Sequence, residues 1–163
     1  MTGAVQFDID DSRVLAVLAR LGTPEAVAKR AERDAADSVA QNIRTTFRDE
    51  TDPFGHPWAP LKKATLKRRV KRENDSTQIL IDTTAMYASL EVVQTEAGAT
   101  VSIGNGLPDP RAPANQFGNG RAVARPFFPI HEDGQAELPG AWAQEALLPI
   151  ERALQSFLGE TSA

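Results

Sequence analysis

Few residues in this chain could do chemistry. Histidine occurs twice, at His56 and His131, and neither has a partner at metal-ligand spacing. His131, Glu132 and Asp133 are consecutive, and consecutive side chains on a strand or turn point in different directions, so they read as a solvated turn. Cysteine is absent, which removes disulfide staples, thiolate nucleophiles and Cys-based zinc sites. There is no G-x-S-x-G elbow and no serine in a glycine-rich turn, so nothing marks an activated nucleophile. Any two of the 22 acidic residues could meet as acid and base, but nothing singles out a pair. The glycines of 104-GNGLPDP-110 and 118-GNG-120 match neither G-x-G-x-x-G nor a P-loop and read as structural turns. The chain is therefore expected to be no enzyme, with no catalytic residue, metal or cofactor.

What stands out is 53-PFGHPWAPLKKATLKRRVKR-72. A loop rich in proline, with Phe54 and Trp58, runs into seven lysines and arginines at positions 62 to 72. On a helix Lys63, Lys67 and Lys71 lie at i, i+4 and i+8, with Lys62, Arg69 and Arg72 on neighbouring rows. Like charges at this spacing cost a few tenths of a kcal/mol each, so something offsets them. Three candidates stand open: solvent and counterions, an acidic face of an adjacent subunit, or a nucleic acid backbone. The last would make the protein a nucleic-acid-binding accessory factor using helix 62–72, with Lys67, Arg69 and Arg72 towards DNA. No aromatic platform interleaves the run, as single-strand binding favours, and the net charge of the chain is -4.

These residues must be held by an ordinary domain. The 163 residues are 41% hydrophobic and 25% charged, which suits one domain, although many apolar residues are alanine, which predicts a core that is thin or completed by a partner. No apolar run reaches the roughly 20 residues that span a membrane. MTGAVQFDID carries acids where a secretory signal carries basic charge. Val14, Leu15, Leu18 and Leu21 predict a short helix over 12–21. Thr23-Pro24-Glu25 starts a long helix that runs to about Phe47. Val27, Ala31, Ala35, Val39, Ile43 and Phe47 recur along it every four residues. That stripe winds, since 3.6 residues make a turn, and Ala28, Ala36 and Ala40 fill in part of it. Its alanines allow close packing, in the core or across a subunit boundary.

Pro60 opens a helix over about 60–72. Ile79 to Ile81 form a short buried run, followed by a turn at 82–84 and a short helix near 84–89. Residues 90–95 and 99–104 predict a β-hairpin turning at Glu96-Ala97-Gly98, with Val101 and Ile103 on its buried face. Residues 105–125 read as a long loop of the functional or interfacial kind, and 125–130 as an edge strand limited by its prolines. A C-terminal helix follows, with Trp142, Leu147, Ile150, Leu154, Phe157 and Leu158 on its apolar face, kinked or restarted at Pro149. The plan is α+β: a small antiparallel sheet covered by helices in one domain, 1–163.

Phe54, Gly55, Pro57, Trp58, Pro60 and Leu61, with Thr65 and Lys67, resemble the F-x-G-x-x-W-x-P-L-x-x-x-T-x-x-x-K segment of the phage virion morphogenesis family. That family includes tail completion proteins of contractile-tailed phages and the corresponding protein of Mu-like phages. The segment 80-LIDTTAMYASL-90 resembles its L-I-D-T-G-x-L-x-x-S motif. In the same order, 103-IG-104, 116-QFG-118 and 125-RPFFPI-130 resemble its I-G, H-Q-F-G and R-P-F-L motifs, so the resemblance spans residues 43–131. Two positions depart: Thr84 stands where glycine is usual, which sets the turn geometry apart, and Asn115 stands where histidine is common, against a histidine-dependent role.

The resemblance implies a non-enzymatic virion component of the neck or tail top, assembled in the host cytoplasm. Such a protein forms a ring, commonly hexameric, that completes the tail and contacts the tail tube or terminator protein and the head–tail connector. DNA would pass through the channel with weak or no specific binding, and no membrane is involved. The subunit or partner interface is then expected at Phe54, Trp58, Lys63, Lys67, Arg68, Lys71, Gln116, Phe117, Arg125, Phe127 and Phe128, with Phe54 and Trp58 as anchors either in the subunit's own core or at a contact. A ring subunit has two different faces; here 62–72 is basic, and 8-DIDD-11 and 132-ED-133 could oppose it.

Overall fold

The longest element follows from the longest apolar stripe. In the computed structural model, helix α1 spans Glu25–Asp49, with Glu25 in its first turn and Arg48 in its last, each favourable to the helix dipole. Ala31, Ala35, Ala36, Val39, Ala40, Ile43 and Phe47 are buried along it, whereas Val27, at the start of the stripe, is exposed. The alanines let α1 lie close to the C-terminal helix α5, Gly140–Glu160, and to the sheet. The structure describes residues 6–8, 25–74, 76–82, 84–104, 111–120, 122–131 and 133–160, with backbone alone at 6–8, 26 and 156–160. The expected helix over 12–21, the cap at Thr23-Pro24 and the acids at 9–11 lie outside these residues.

The sheet has three antiparallel strands in the order β1-β3-β2: β1 Gln6–Asp8, β2 Leu90–Thr95 and β3 Gly98–Ile103. The hairpin register pairs Leu90 with Ile103 and Thr95 with Gly98. Gly98 closes the turn at φ +133°, a conformation open to glycine. Strand β1, which no alternation announced, pairs Phe7 with Val101. It makes β3 the central strand, which is why Thr100 is buried along with Ala99, Val101 and Ile103.

Between hairpin and helices the chain departs from expectation in three places. The helix expected over 60–72 is α2, Lys63–Val70. It starts late because the carbonyls of Ala59 and Pro60 accept hydrogen bonds from Arg125. The short helix near 84–89 is α3, Ala85–Ala88. The expected loop 105–125 contains a helix, α4, Arg111–Phe117. The expected edge strand 125–130 is no strand: apart from a single bridge from Ile130 to Ala136, it joins no ladder. Pro126 and Pro129 remove donors, and the side chain of Gln116 takes the ladder's place. Its Oε1 accepts from the amides of Phe127 and Phe128, both at 3.0 Å, and its Nε2 donates to the carbonyls of Phe128 (2.8 Å) and Ile130 (3.2 Å).

The core is an aromatic cluster centred on Phe47. Trp58 and Tyr87 meet its ring edge-on at 5.7 and 5.6 Å, and Phe127 packs at 5.2 Å. Helix α5 continues through Pro149. It buries Ala146 and Ile150 but leaves Leu147 exposed, contrary to the face drawn from its sequence, together with Leu148. The side chains of Phe157 and Leu158 lie outside those described.

Gln116 is 1% exposed, so its loss strands buried backbone groups. Gln116→Leu is expected to cost about 4 kcal/mol, from four hydrogen bonds at about 1 kcal/mol each, read in urea denaturation. Gln116→Glu keeps the acceptor but turns its second oxygen towards two carbonyls. Both burial and those carbonyls favour the protonated acid, raising its folded pKa. Its stability should therefore be greatest in acid and fall as the pH rises through that raised value, whereas the parent shows no such loss.

Candidate functional site

The loop after α1 is shaped by Asp52. Its Oδ1 accepts from the amides of Phe54 and His56 at 2.9 and 2.8 Å, its Oδ2 lies 2.9 Å from His56 Nδ1, and its own amide donates to the carbonyl of His56. Gly55 turns the tip at φ +88°. Helix α1 ends with Glu50 at φ 56° and Thr51 N–H returning to Thr46 O, a Schellman closure. The two aromatics then part company. Trp58 is 6% exposed and donates its indole N–H to Pro126 O at 2.8 Å, so it anchors the loop inside the subunit. Phe54 is 45% exposed and stands at the tip, its ring stacked on His131 at 6.1 Å.

The basic run also divides. Arg69, expected to face DNA, is 4% exposed: its Nη1 donates to the carbonyls of Ser76 and Gln78, and its Nε lies 3.3 Å from Asp82 Oδ1, off the line of a hydrogen bond. Arg72 is paired with Asp82 Oδ2 at 2.7 Å. That hydrogen bond, with the charges of Arg72 and Arg69 and a bond from Asn74, holds the Asp82 carboxyl below its ordinary value. Part of the charge is thus offset within the subunit, a source not among the three considered from sequence. Lys62, Lys63, Lys67, Arg68 and Lys71 are exposed, and no salt bridge joins them to an acid among the described residues.

Beside α2 lies an open groove of about 470 Å³, bounded by Leu61 to Arg69, Leu80 to Met86, α4 and the segment 122–125. Lys62, Arg68, Arg69, Arg111 and Arg125 line it against one carboxylate, Asp82, among the described residues. Burial, and then the like charge of Arg69, push the Arg125 guanidinium below its ordinary value. Two wall residues hold left-handed backbone: Leu80 at φ 61° and Thr84 at φ 59°. For residues with a Cβ this is strained, and such strain gathers at functional sites.

Of the residues expected at an interface, Trp58, Gln116, Phe127 and Phe128 are inside the subunit, and Phe117 packs against the core. Phe54, Lys63, Lys67, Arg68 and Lys71 are outside, and Arg125 lies half-buried in the groove wall. Asp82, Leu80 and Thr84 were not among the expected site residues; the resemblance of 80-LIDTT-84 to a motif was the signal for them. No group of three His, Asp or Glu gathers at metal-binding distance among the described residues. No helix among them is long and apolar enough to cross a membrane.

All these features fall within one family match, to the phage virion morphogenesis family, over residues 9–140. The chain belongs to that family. No curated protein and no solved structure matched it in the same comparison. Membership assigns it a structural or assembly role in making the phage particle. The matched span takes in the Asp52 loop, the groove and the Gln116 clamp, and ends at Gly140, where α5 begins. Within it Thr84, set against a glycine by the resemblance drawn from sequence, adopts the left-handed conformation that glycine favours. Asn115, in place of histidine, lines the groove and directs its amide at the Met86 sulfur, 3.8 Å away.

Comparing Thr84→Gly with Thr84→Ala isolates the backbone term, since both remove the same hydroxyl. The glycine variant should be the more stable by about 1 kcal/mol, seen as a higher denaturation midpoint; equal midpoints would mean the turn is unstrained. Asp82 predicts a pH effect of definite sign. Its carboxyl is lowered in the folded state, so the stability it adds is complete above an unfolded value of about 3.9. It is lost as the pH falls through the folded value. Asp82→Asn should lower the melting temperature at neutral pH and flatten its decline in acid.

Proposed function

We propose that the protein is a structural component of the phage neck or tail top, where copies form a ring, hexameric in the simplest case, that completes the tail and joins it to the head connector. One observation supports this reading beyond family membership: a small subunit holds a rigid aromatic tip and a groove whose described lining carries several cations and one carboxylate. Phe54 is held out by a loop braced at Asp52 and anchored by Trp58, so little freedom remains to be lost on docking. The partners that suit this arrangement are further copies of the chain, the tail tube or terminator protein and the connector proteins.

The alternative, a nucleic-acid-binding factor, loses support from the same geometry. Of the three cations assigned to DNA, Arg69 is turned inward and Arg72 is held by Asp82, which leaves Lys67. A net charge of -4 suits a component past which DNA slides without being held.

The reading is tested on particles. Mass spectrometry of purified virions should find the chain, and a phage with its gene deleted should accumulate filled heads and tails that fail to join. Normal infectious particles from the deletion phage would overturn the proposal.

A further inference from the structure

Among the described residues, the groove beside α2 is lined by more cations than carboxylates. Asp82 is engaged by Arg69, Arg72 and Asn74, so it cannot also neutralise Lys62 and Arg68 at the rim or Arg125 in the wall. Arg125 uses its guanidinium on the carbonyls of Ala59 and Pro60, which satisfies donors but not charge. The buried Nε of Arg69, 3.3 Å from Asp82 Oδ1, has no aligned hydrogen-bond partner among the described residues. Cations gathered in a partly desolvated wall repel more strongly than in water, and an anion seated among them would relieve this. The strained residues Leu80 and Thr84 mark the same wall.

The lining also discriminates between anions. Leu61, Leu80, Met86, Ala114 and Val123 make it substantially apolar, and among the described residues no aromatic ring on which a base could stack lines it. A concave, partly apolar site of this size fits a short peptide carrying carboxylates better than a phosphate backbone.

This chain carries such a peptide on its surface. After the buried pair Phe127 and Phe128, the Ile130–Ala136 bridge closes a loop that turns at Gly134, with φ +83°. The His131 amide donates to Gln135 O at 2.8 Å and the Gln135 amide to Asp133 Oδ1 at 2.9 Å. Asp133 and Glu137 are exposed on this braced loop, neither lines the groove, and Phe54 stacks at its base on His131. We propose that the groove receives the acidic loop 131–137 from a second copy of this chain. The contact is heterologous: each copy gives a loop to one neighbour and a groove to the other, so it propagates into a ring or a chain of subunits. The inference rests on the reading that copies assemble, and names the surfaces by which they do so.

Charge exchange tests it. The full chain at about 100 µM in about 50 mM salt should sediment as an oligomer, and high salt should disperse it. Lys62→Glu with Arg68→Glu, and separately Asp133→Lys with Glu137→Lys, alter exposed side chains. Each pair should weaken association at least about tenfold while circular dichroism stays that of the parent. An equimolar mixture of the two variants should regain the parent's sedimentation, because one contact is then the parent's and the other joins the same charges reversed. A monomeric parent, a variant that associates like the parent, or a mixture that stays monomeric would overturn the contact. So would retention of a DNA duplex that the Lys62/Arg68 variant loses in the absence of self-association, which would assign the groove to phosphate. None of these results touches the virion experiment, which asks only whether particles contain and need the chain.

Discussion

Much of the middle of this protein has no ladder to hold it, and the constraint that makes it possible is the need to satisfy buried backbone. The segment 125–130 must enter the core because Phe127 and Phe128 belong there, 0% and 1% exposed. Prolines on either side keep it from pairing as a strand. A chain so placed carries amides and carbonyls that are costly to leave without partners. Gln116 meets that need with one side chain, accepting twice and donating twice. Asparagine would be too short, and a hydroxyl lacks the second donor. Because Gln116 sits on α4, its bonds also tie that helix to the core, and with it one wall of the cationic groove.

The same economy appears at the other wall. Helix α2 has little apolar face: Val70 is 65% exposed, and much of the rest is lysine and arginine. Buried Arg69 holds it instead, reaching two carbonyls across the turn after the helix and Asp82 beyond. Arg125 then ties the segment ahead of α2 to the stretch that Gln116 secures. Groove and core are thus built from one set of side-chain-to-backbone bonds, and what rigidifies the fold also fixes the spacing of the cations.

The parts of the fold legible in the sequence are those governed by period and by turn chemistry. The stripe of α1 repeats over many residues and its end is marked by Thr51-Asp52-Pro53. The hairpin alternates and turns on a glycine. What was not legible depends on contacts distant in sequence. Strand β1 is three residues long, too short to show alternation, and is specified by an open edge of β3. The seven residues of α4 lie within glycine, proline and asparagine that by composition read as loop. The run Phe127–Ile130 looks like a strand because apolar composition records burial, not hydrogen bonding. At the site, motif order located the Asp52 loop and the groove wall at 80–84. It could not say which of two aromatics turns inward, nor that Arg69, alone in a row of cations, would be the one to leave the surface.

That division of the basic run bears on how a charged element can serve in an assembly. Had all seven cations faced outward, the helix would attract any polyanion, and a part of a DNA conduit would grip what must move past it. Asp82 and the carbonyls of Ser76 and Gln78 withdraw two cations, and Lys62 and Arg68 line a concave groove together with apolar side chains. A convex row of lysines recognises charge alone, whereas a concave set with apolar neighbours also requires a shape. The proposed carboxylate loop offers both charge and shape, whereas a phosphate backbone offers charge alone. In the proposed contact, selectivity for protein over nucleic acid would thus arise from where the charge is placed rather than from how much there is.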